Sequence, residues 1–280
     1  IIRFSSIGEI VLTTPVLRCL KNQVKNAEIH IVTKQRFKGI LTANPNVDKI
    51  HVFEDNLGEI FHELRHQKFD YIIDLHRNLR TAKVKKRLKG PYFSFDKLNF
   101  KKWLLVNFGI DHMPDVHIVD RYMEAVKAFS LEDDGKGLDY FIPEDVSVDL
   151  KTFSLKEDGY VAWVIGAAHE GKRFSANKVR AVIDQVKRPV VLLGGKADKE
   201  LAEKITESCA GHVVNMVGRT SIHGSAWLLE RANAVVTPDT GMMHIASALK
   251  KKVISLWGCT VPHLGMYPYR PGEGSEIIEP

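Results

Sequence analysis

The chain has 280 residues, 44% of them hydrophobic and 26% charged, with a formal net charge of +6. That length is more than one hydrophobic core serves well, so two domains of about 140 residues each are expected, residues 1–145 and 146–280. No apolar run approaches the ~20 residues of a membrane-spanning helix. The three scattered cysteines, Cys19, Cys209 and Cys259, give no sign of a disulfide framework or thiolate zinc site, so a reducing, cytoplasmic setting is expected.

Taken in order, β-like and helix-like segments alternate throughout, which predicts an α/β fold with parallel sheets. Ile1–Phe4 reads as the middle of a buried strand, so a further N-terminal segment is expected ahead of it. A helix follows with Thr14 as cap and Pro15 as first residue, carrying the apolar stripe Val16, Leu17, Leu20 and Val24. Strands are expected at Glu28–Thr33, Lys49–Phe53 and Tyr71–Leu75, and a later helix carries Val119, Tyr122, Met123, Val126 and Phe129. Leu131 to Leu150 is acidic, holds Gly135, Gly137 and Pro143, and lacks a sustained period, so it is the expected linker. Beyond it, strands are expected at Tyr160–Ile165, Pro189–Leu193, Val213–Val217, Ala234–Thr237 and Val253–Trp257. Helices lie between them, one capped by Ser175 and one over Ala202–Cys209, and the chain then stops without a closing element. Two Rossmann-like units would aim the loops beyond their strands' carboxyl ends into a shared cleft.

Four stretches carry chemistry. In Val235–His244 an apolar run stops at Asp239-Thr240-Gly241 and a helix-forming segment begins. Its free N–H groups and partial positive charge suit a phosphate, and His244 falls about one turn in. The same residues fit an ordinary strand–turn–helix with Thr240 as cap. After the first strand, Ser5-Ser6-Ile7-Gly8-Glu9 presents one carboxylate at a sheet edge. It can take a proton from a hydroxyl, or simply favour a helix start. Gly166-Ala167-Ala168-His169-Glu170-Gly171-Lys172-Arg173 ends a strand in a basic turn, where Lys172 can meet charge on a leaving phosphate or face solvent. Gly194-Gly195 is followed by Asp198 and Glu200, either of which can bind ribose hydroxyls.

Arg77 to Lys89 holds seven basic and no acidic residues. It is a solvated helix face or a surface for anionic sugars or lipid headgroups. Without a nucleic-acid-binding motif or interleaved aromatics, nucleic acid is not an expected partner. There is no G-x-G-x-x-G, and Arg173 stands where a Walker A loop needs a hydroxyl. No H-E-x-x-H or D-x-D pair occurs, so a metal-independent mechanism without a cofactor is expected.

Together, the Ser-Ser-Ile-Gly-Glu turn, Lys172-Arg173-Phe174, Asp239-Thr240-Gly241-Met242-Met243-His244 and Trp257-Gly258-Cys259-Thr260 resemble glycosyltransferase family 9, the ADP-heptose:lipopolysaccharide heptosyltransferases. The resemblance runs along the whole chain and is weak between Pro91 and Val148. It implies a GT-B fold, two Rossmann-like domains with parallel sheets facing a central cleft. It also implies inverting transfer of heptose to the lipopolysaccharide inner core, with peripheral contact at the inner membrane. The family's base maps onto Glu9, which here is one methylene longer than the usual aspartate. Its phosphate-binding lysine maps onto Lys172, while the two threonines often found before it are replaced by Ala167 and Ala168. The resemblance places the donor at Lys172, Asp239, Thr240, Gly241 and His244; with the readings of the individual stretches, the expected donor contacts are Gly166, Ala168, Lys172, Glu200, Asp239, Thr240, Gly241 and His244, and the expected acceptor contacts Ser6, Gly8, Arg77 and Arg80. The family pattern continues past the end of this chain with a helix returning to the first domain. A GT-B transferase using another nucleotide sugar, or a non-catalytic protein of the same fold, fits the same residues.

Overall fold

Short runs rich in Val and Ile, closed by polar or glycine-containing turns, form parallel strands, the central ones (Val161–Val164, Val190–Leu193 and Ala234–Pro238) buried on both faces. The computed structural model describes every residue except Ala168 and 208–210. The expected Ala168 contact and the Cys209 end of its helix therefore lie outside the described residues. The chain forms two compact units, Ile1–Phe141 with His263–Met266, and Ile142–Pro262 with Tyr267–Pro280.

In the first unit α1 (Ile7–Val11) and α2 (Thr14–Gln23) lead into β1 (His30–Lys34), α3 (Gly39–Thr42), β2 (Lys49–Phe53), α4 (Phe61–His66) and β3 (Ile72–Asp74). Next come α5 (Leu79–Leu88), β4 (Tyr92–Ser94), α6 (Asn99–Phe108) and α7 (Ile118–Glu124). β1 pairs with β2 and β3 with β4. Ile2 joins the two pairs, bridging Val32 on one side and Asp74 on the other. The opening run expected as a strand thus lies between the two pairs, although only Ile2 makes formal bridges. Ile2 and Phe4 are buried against Val32, Phe53, Leu64 and Ile72, and the Phe4 ring meets Phe53 edge-on at 5.0 Å.

α2 is capped by Thr13, not Thr14. The Thr14 hydroxyl donates to Val11 O (2.7 Å), at the end of the preceding helix, so α1 runs almost directly into α2. The acidic stretch after α7 is not free chain in its first half. Arg18, buried on α2, donates to both carboxylate oxygens of Asp134 (2.7 Å each), to Gly137 O (2.9 Å) and to Asp139.

The second unit carries β5 (Val161–Val164), α8 (Ala176–Ile183), β6 (Val190–Leu193), α9 (Lys199–Thr206) and β7 (Val213–Asn215). It continues with α10 (Ile222–Glu230), β8 (Ala234–Pro238), α11 (Gly241–Ala248), β9 (Val253–Leu256) and β10 (Glu276–Ile278). The sheet order is β10-β9-β8-β5-β6-β7. The chain starts at the centre, moves outward through β6 and β7, then returns to build the other half from β8. β5 and β8 therefore flank the point where strand order reverses, the place where open α/β sheets bind ligands. The core is Trp163, Leu192 and Val236 packed on Val179, Ile183, Ala202 and Ile205. β10 closes the edge where no element was expected; all three of its residues are exposed, so they carry no burial pattern to read.

Replacing Arg18 with methionine keeps the apolar stem and leaves two carboxylates without their cation. Asp134 and Asp139 retain 20% and 18% of their side-chain surface, so the cost should be about 2–3 kcal/mol, just under that of a fully buried broken pair. The Arg18 hydrogen bond holds the Asp134 carboxyl down to about 2. Its contribution is therefore complete above the ordinary value near 4 and is lost as pH falls through about 2. Urea unfolding of both proteins across that interval should show this acid-dependent part missing from Arg18→Met.

Candidate active site

At the carboxyl edge of the first unit's sheet, Ser6 caps α1 and Glu9 is the third residue of that helix. Glu9 Oε2 accepts from the Ser6 N–H at 2.9 Å, the return contact of a capping box. The longer glutamate has the reach for this, and its other oxygen pairs with the Arg3 guanidinium. Arg3 is buried between strands, where a charge needs several partners. It donates to Ser5 O (2.8 Å), to the Tyr122 hydroxyl (2.9 Å) and to Leu75 O. Burial pushes the Glu9 carboxyl up, but Arg3 and the Ser6 N–H more than offset that, and the net shift is downward. Glu9 is thus held ionised. Burial, reinforced by Arg3, takes the neighbouring His76 down to about 4, so its imidazole is neutral at physiological pH.

Further cations gather here. Burial, then Arg3, lowers the Lys97 ammonium; burial, then Arg121, lowers that of Lys102. Arg121 on α7 is 8% exposed. None of its three guanidinium nitrogens has a hydrogen-bond partner among the described residues. A buried guanidinium left without acceptors is costly.

Of the acceptor residues expected from sequence, Ser6 is exposed and Gly8 is buried within α1. Arg77 precedes α5 and donates to Phe95 O (2.8 Å) and Asp96 (3.1 Å). Arg80 lies over the Phe4 and Phe53 rings at 5.7 and 5.3 Å. The basic stretch divides: Lys85 turns in to buried Asp74 (2.8 Å), while Lys83 and Lys86 face solvent.

In the second unit three loops converge beyond β5, β8 and β9, which are neighbours in the sheet. Lys172 Nζ meets Asp239 Oδ2 at 2.5 Å, and the Thr260 hydroxyl donates to the same oxygen at 3.0 Å. Asp239 and Thr240 stand at the start of α11, with Thr240 as cap and Gly241 as first residue. His244 is buried one turn in. The expected Lys-Arg pair splits, because Arg173 bonds Ala167 O (3.0 Å) and pairs with Asp198 (3.2 Å). Asp198 is buried and accepts from the Gly195 N–H at 2.8 Å, so it braces the Gly-Gly turn. A Cβ on Gly166 would lie 2.2 Å from Asp198 Oδ2, and one on Gly171 would lie 2.8 Å from Cys259 Sγ, so both loops pack where only glycine fits. Glu200, expected at the ribose, is on the exposed part of α9 and pairs with Lys204 one turn along. Among the described residues no group of three or more His, Cys, Asp or Glu is arranged to hold a metal ion.

Sequence reasoning passed over Arg3, His76, Arg121 and Thr260 as site residues. Arg3 had a signal, a charge inside an otherwise apolar strand. Arg121 had none, since an arginine beside an apolar helical stripe is ordinarily solvated.

A model of glycosyltransferase family 9 (heptosyltransferase) matches residues 57–272. Lipopolysaccharide heptosyltransferase 1 of Campylobacter coli is 25% identical over 93% of this chain and 83% of its own. The crystal structure of a family 9 glycosyltransferase from Veillonella parvula superposes with a TM-score of 0.84 at 22% identity, covering 100% of this chain and 84% of that one. An Escherichia coli heptosyltransferase with ADP-2-deoxy-2-fluoro heptose gives 0.73 at 17% identity, covering 99% and 91%. The structural likenesses establish the fold class, the paired Rossmann-like units of GT-B.

Gly166→Ala should destabilise the second unit by about 1–3 kcal/mol, because the added methyl meets a fixed carboxylate. Pairing it with Asp198→Ala should recover part of that loss. Thermal melts of the two single variants and the double variant measure the coupling; strictly additive losses would show that the two positions do not collide.

Proposed function

Because this chain belongs to glycosyltransferase family 9, we propose that it moves heptose from ADP-heptose to the lipopolysaccharide inner core, inverting the anomeric carbon. The observation that carries this reading is the meeting of Lys172, Asp239 and Thr260 with the start of α11 at the strand-order reversal. Lys172 and the first N–H groups of α11 would bind the diphosphate and meet the charge that builds on departing ADP. Asp239 orients Lys172. Gly166, Gly241 and His244 shape the same pocket, and Glu200 serves only if the α9 ion pair opens.

In the first unit Glu9 takes the proton of the acceptor hydroxyl as its oxygen attacks the anomeric carbon. The transition state is oxocarbenium-like, by analogy with glycoside hydrolysis. No metal is assigned to any step, and nucleic acid has no part in it. Arg121, with Lys97, Arg77 and Arg80, would hold the acidic groups of the acceptor. Because that acceptor is lipid-linked, the enzyme works as a peripheral protein at the cytoplasmic face of the inner membrane.

Glu9→Gln should lower kcat by about 10²–10⁴-fold and leave ADP binding unchanged, read as ADP release with purified acceptor and by titration calorimetry. Because the Glu9 carboxyl is held below its ordinary value by Arg3 and the Ser6 N–H, the acid limb of wild-type kcat/KM should lie on the acid side of where an ordinary glutamate would place it. Arg3→Gln, checked for folding by near-ultraviolet circular dichroism, leaves only the weaker Ser6 N–H contact against burial and should move that acid limb upward. A limb that stays in place removes Arg3 as the group holding Glu9 ionised.

Arg121→Gln separates ligand binding from stability. Acceptor KM should rise about ten- to a hundredfold as a charge-assisted contact is lost. Stability should hold or increase, because an uncompensated buried charge is gone. An unchanged acceptor KM would mean that Arg121 does not touch the acceptor.

A further inference from the structure

We infer that α6 is the element that seats this protein on an anionic bilayer, with Phe100, Trp103, Val106 and Phe108 entering the interface. The inference deepens the reading above, since a lipid-linked acceptor is what gives such a contact its purpose.

A surface helix ordinarily turns its apolar stripe into the core. α6 does the reverse. Six of its ten residues are apolar, yet none is buried. Phe100, Trp103, Val106 and Phe108 are 69%, 51%, 76% and 61% exposed. The Trp103 ring stacks with Phe100 at 6.1 Å and meets Phe108 edge-on at 5.1 Å, so the exposed rings form one patch.

The charge around the patch selects the occupant. From Lys97 to Ile110 there is no acidic residue, while Lys97, Lys101 and Lys102 are basic. Aromatic side chains on a helix with lysines and no carboxylates are what an interfacial helix presents to anionic headgroups. A second basic element joins it. Arg77, just before α5, reaches Asp96, just before α6, so the two helices start from one fastened corner. α5 adds Arg80, Lys83, Lys86 and Arg87 and exposes Leu79 at that corner. Lysines and arginines held near an anionic surface add their attraction to that of the inserted rings.

The placement suits delivery of the acceptor. Lys102 lies close enough to Arg121, Lys97 and Glu9 for their charges to act on it. α6 therefore carries its aromatic patch outward while Lys102, half-buried on the same helix, stays within electrostatic range of the acceptor side of the unit.

The experiment is partition of the whole protein onto sedimenting vesicles of phosphatidylethanolamine with phosphatidylglycerol, against vesicles of phosphatidylcholine alone. Wild type should bind the first and not the second. Phe100→Ser/Trp103→Ser should bind about tenfold or more weakly, through lost insertion of two rings, while ADP release with a delipidated acceptor stays at the wild-type rate. With brominated lipid in the anionic vesicles, wild-type tryptophan fluorescence should be quenched. The quenching should vanish in Trp103→Phe, whose fold is not at risk because the site is exposed. Undiminished binding of the double variant, quenching that survives Trp103→Phe, or equal binding to phosphatidylcholine would each overturn the inference. ADP release from the delipidated acceptor reads the proposed function separately, so either idea can fail while the other stands.

Discussion

Arg3 places a full positive charge in the middle of the first unit's sheet, where an unpaired guanidinium costs several kcal/mol. The fold meets that cost with acceptors from four places: Ser5 O beside it, Leu75 O after β3, the Tyr122 hydroxyl on α7, and the Glu9 carboxylate on α1. Because these groups come from separate elements, satisfying one cation fixes the relative positions of all of them. Glu9 gains two properties from the arrangement. Its carboxylate stays ionised although largely enclosed, and its direction is set by two anchors, Arg3 and the Ser6 N–H. A base of lowered pKa is weak in proton affinity, so in the proposed transfer Glu9 would depend on positioning more than on basicity.

The second unit solves a different problem with its strand order. Placing β5 at the centre and β8 beside it brings the ends of two strands together across a change in winding direction. Loops leaving there diverge and leave backbone N–H groups open. The cation at this point, Lys172, is matched to a carboxylate at a helix start, and that carboxylate is also held by Thr260. Arg173 and Asp198 tie the adjacent loops behind it. The loops after β5, β6, β8 and β9 share two carboxylates, Asp198 and Asp239, and glycine at 166 and 171 lets them approach so closely.

How far this was readable from sequence depended on whether each feature left a local trace. Strands β5, β6 and β8 announced themselves as apolar runs because both faces of the sheet are covered there. β4 and β10 are three-residue edge strands with no buried residue, so neither carries a period to detect. The Asp-Thr-Gly turn and Lys172 were legible because strand, turn and helix adjoin in sequence. The division of Lys172 from its neighbour Arg173 was not, since their partners lie 67 and 25 residues away. Glu200 and Asp198 were indistinguishable by spacing. Only burial separates the carboxylate that braces a turn from the one that faces water.

The two units differ in how they hold charge, and the difference fits what each is assigned to bind. In the second, the basic side chains at the loop ends already have carboxylate partners, so an arriving diphosphate meets a neutralised lysine and the partial charge of a helix start. In the proposed transfer, a site of this kind would take up an anion and let it go, as a leaving nucleotide requires. In the first, Arg121 is buried with no acceptor among the described residues, and Lys97 and Lys102 are already depressed by burial and neighbouring cations. In the proposed reading an acidic group of the acceptor supplies the partner that folding leaves out, and it reaches the enclosed guanidinium only as the surrounding side chains move aside. On the proposed reading, stability given up at Arg121 becomes discrimination for an anionic acceptor over a neutral sugar, because a ligand without the acidic group leaves the buried charge as it was.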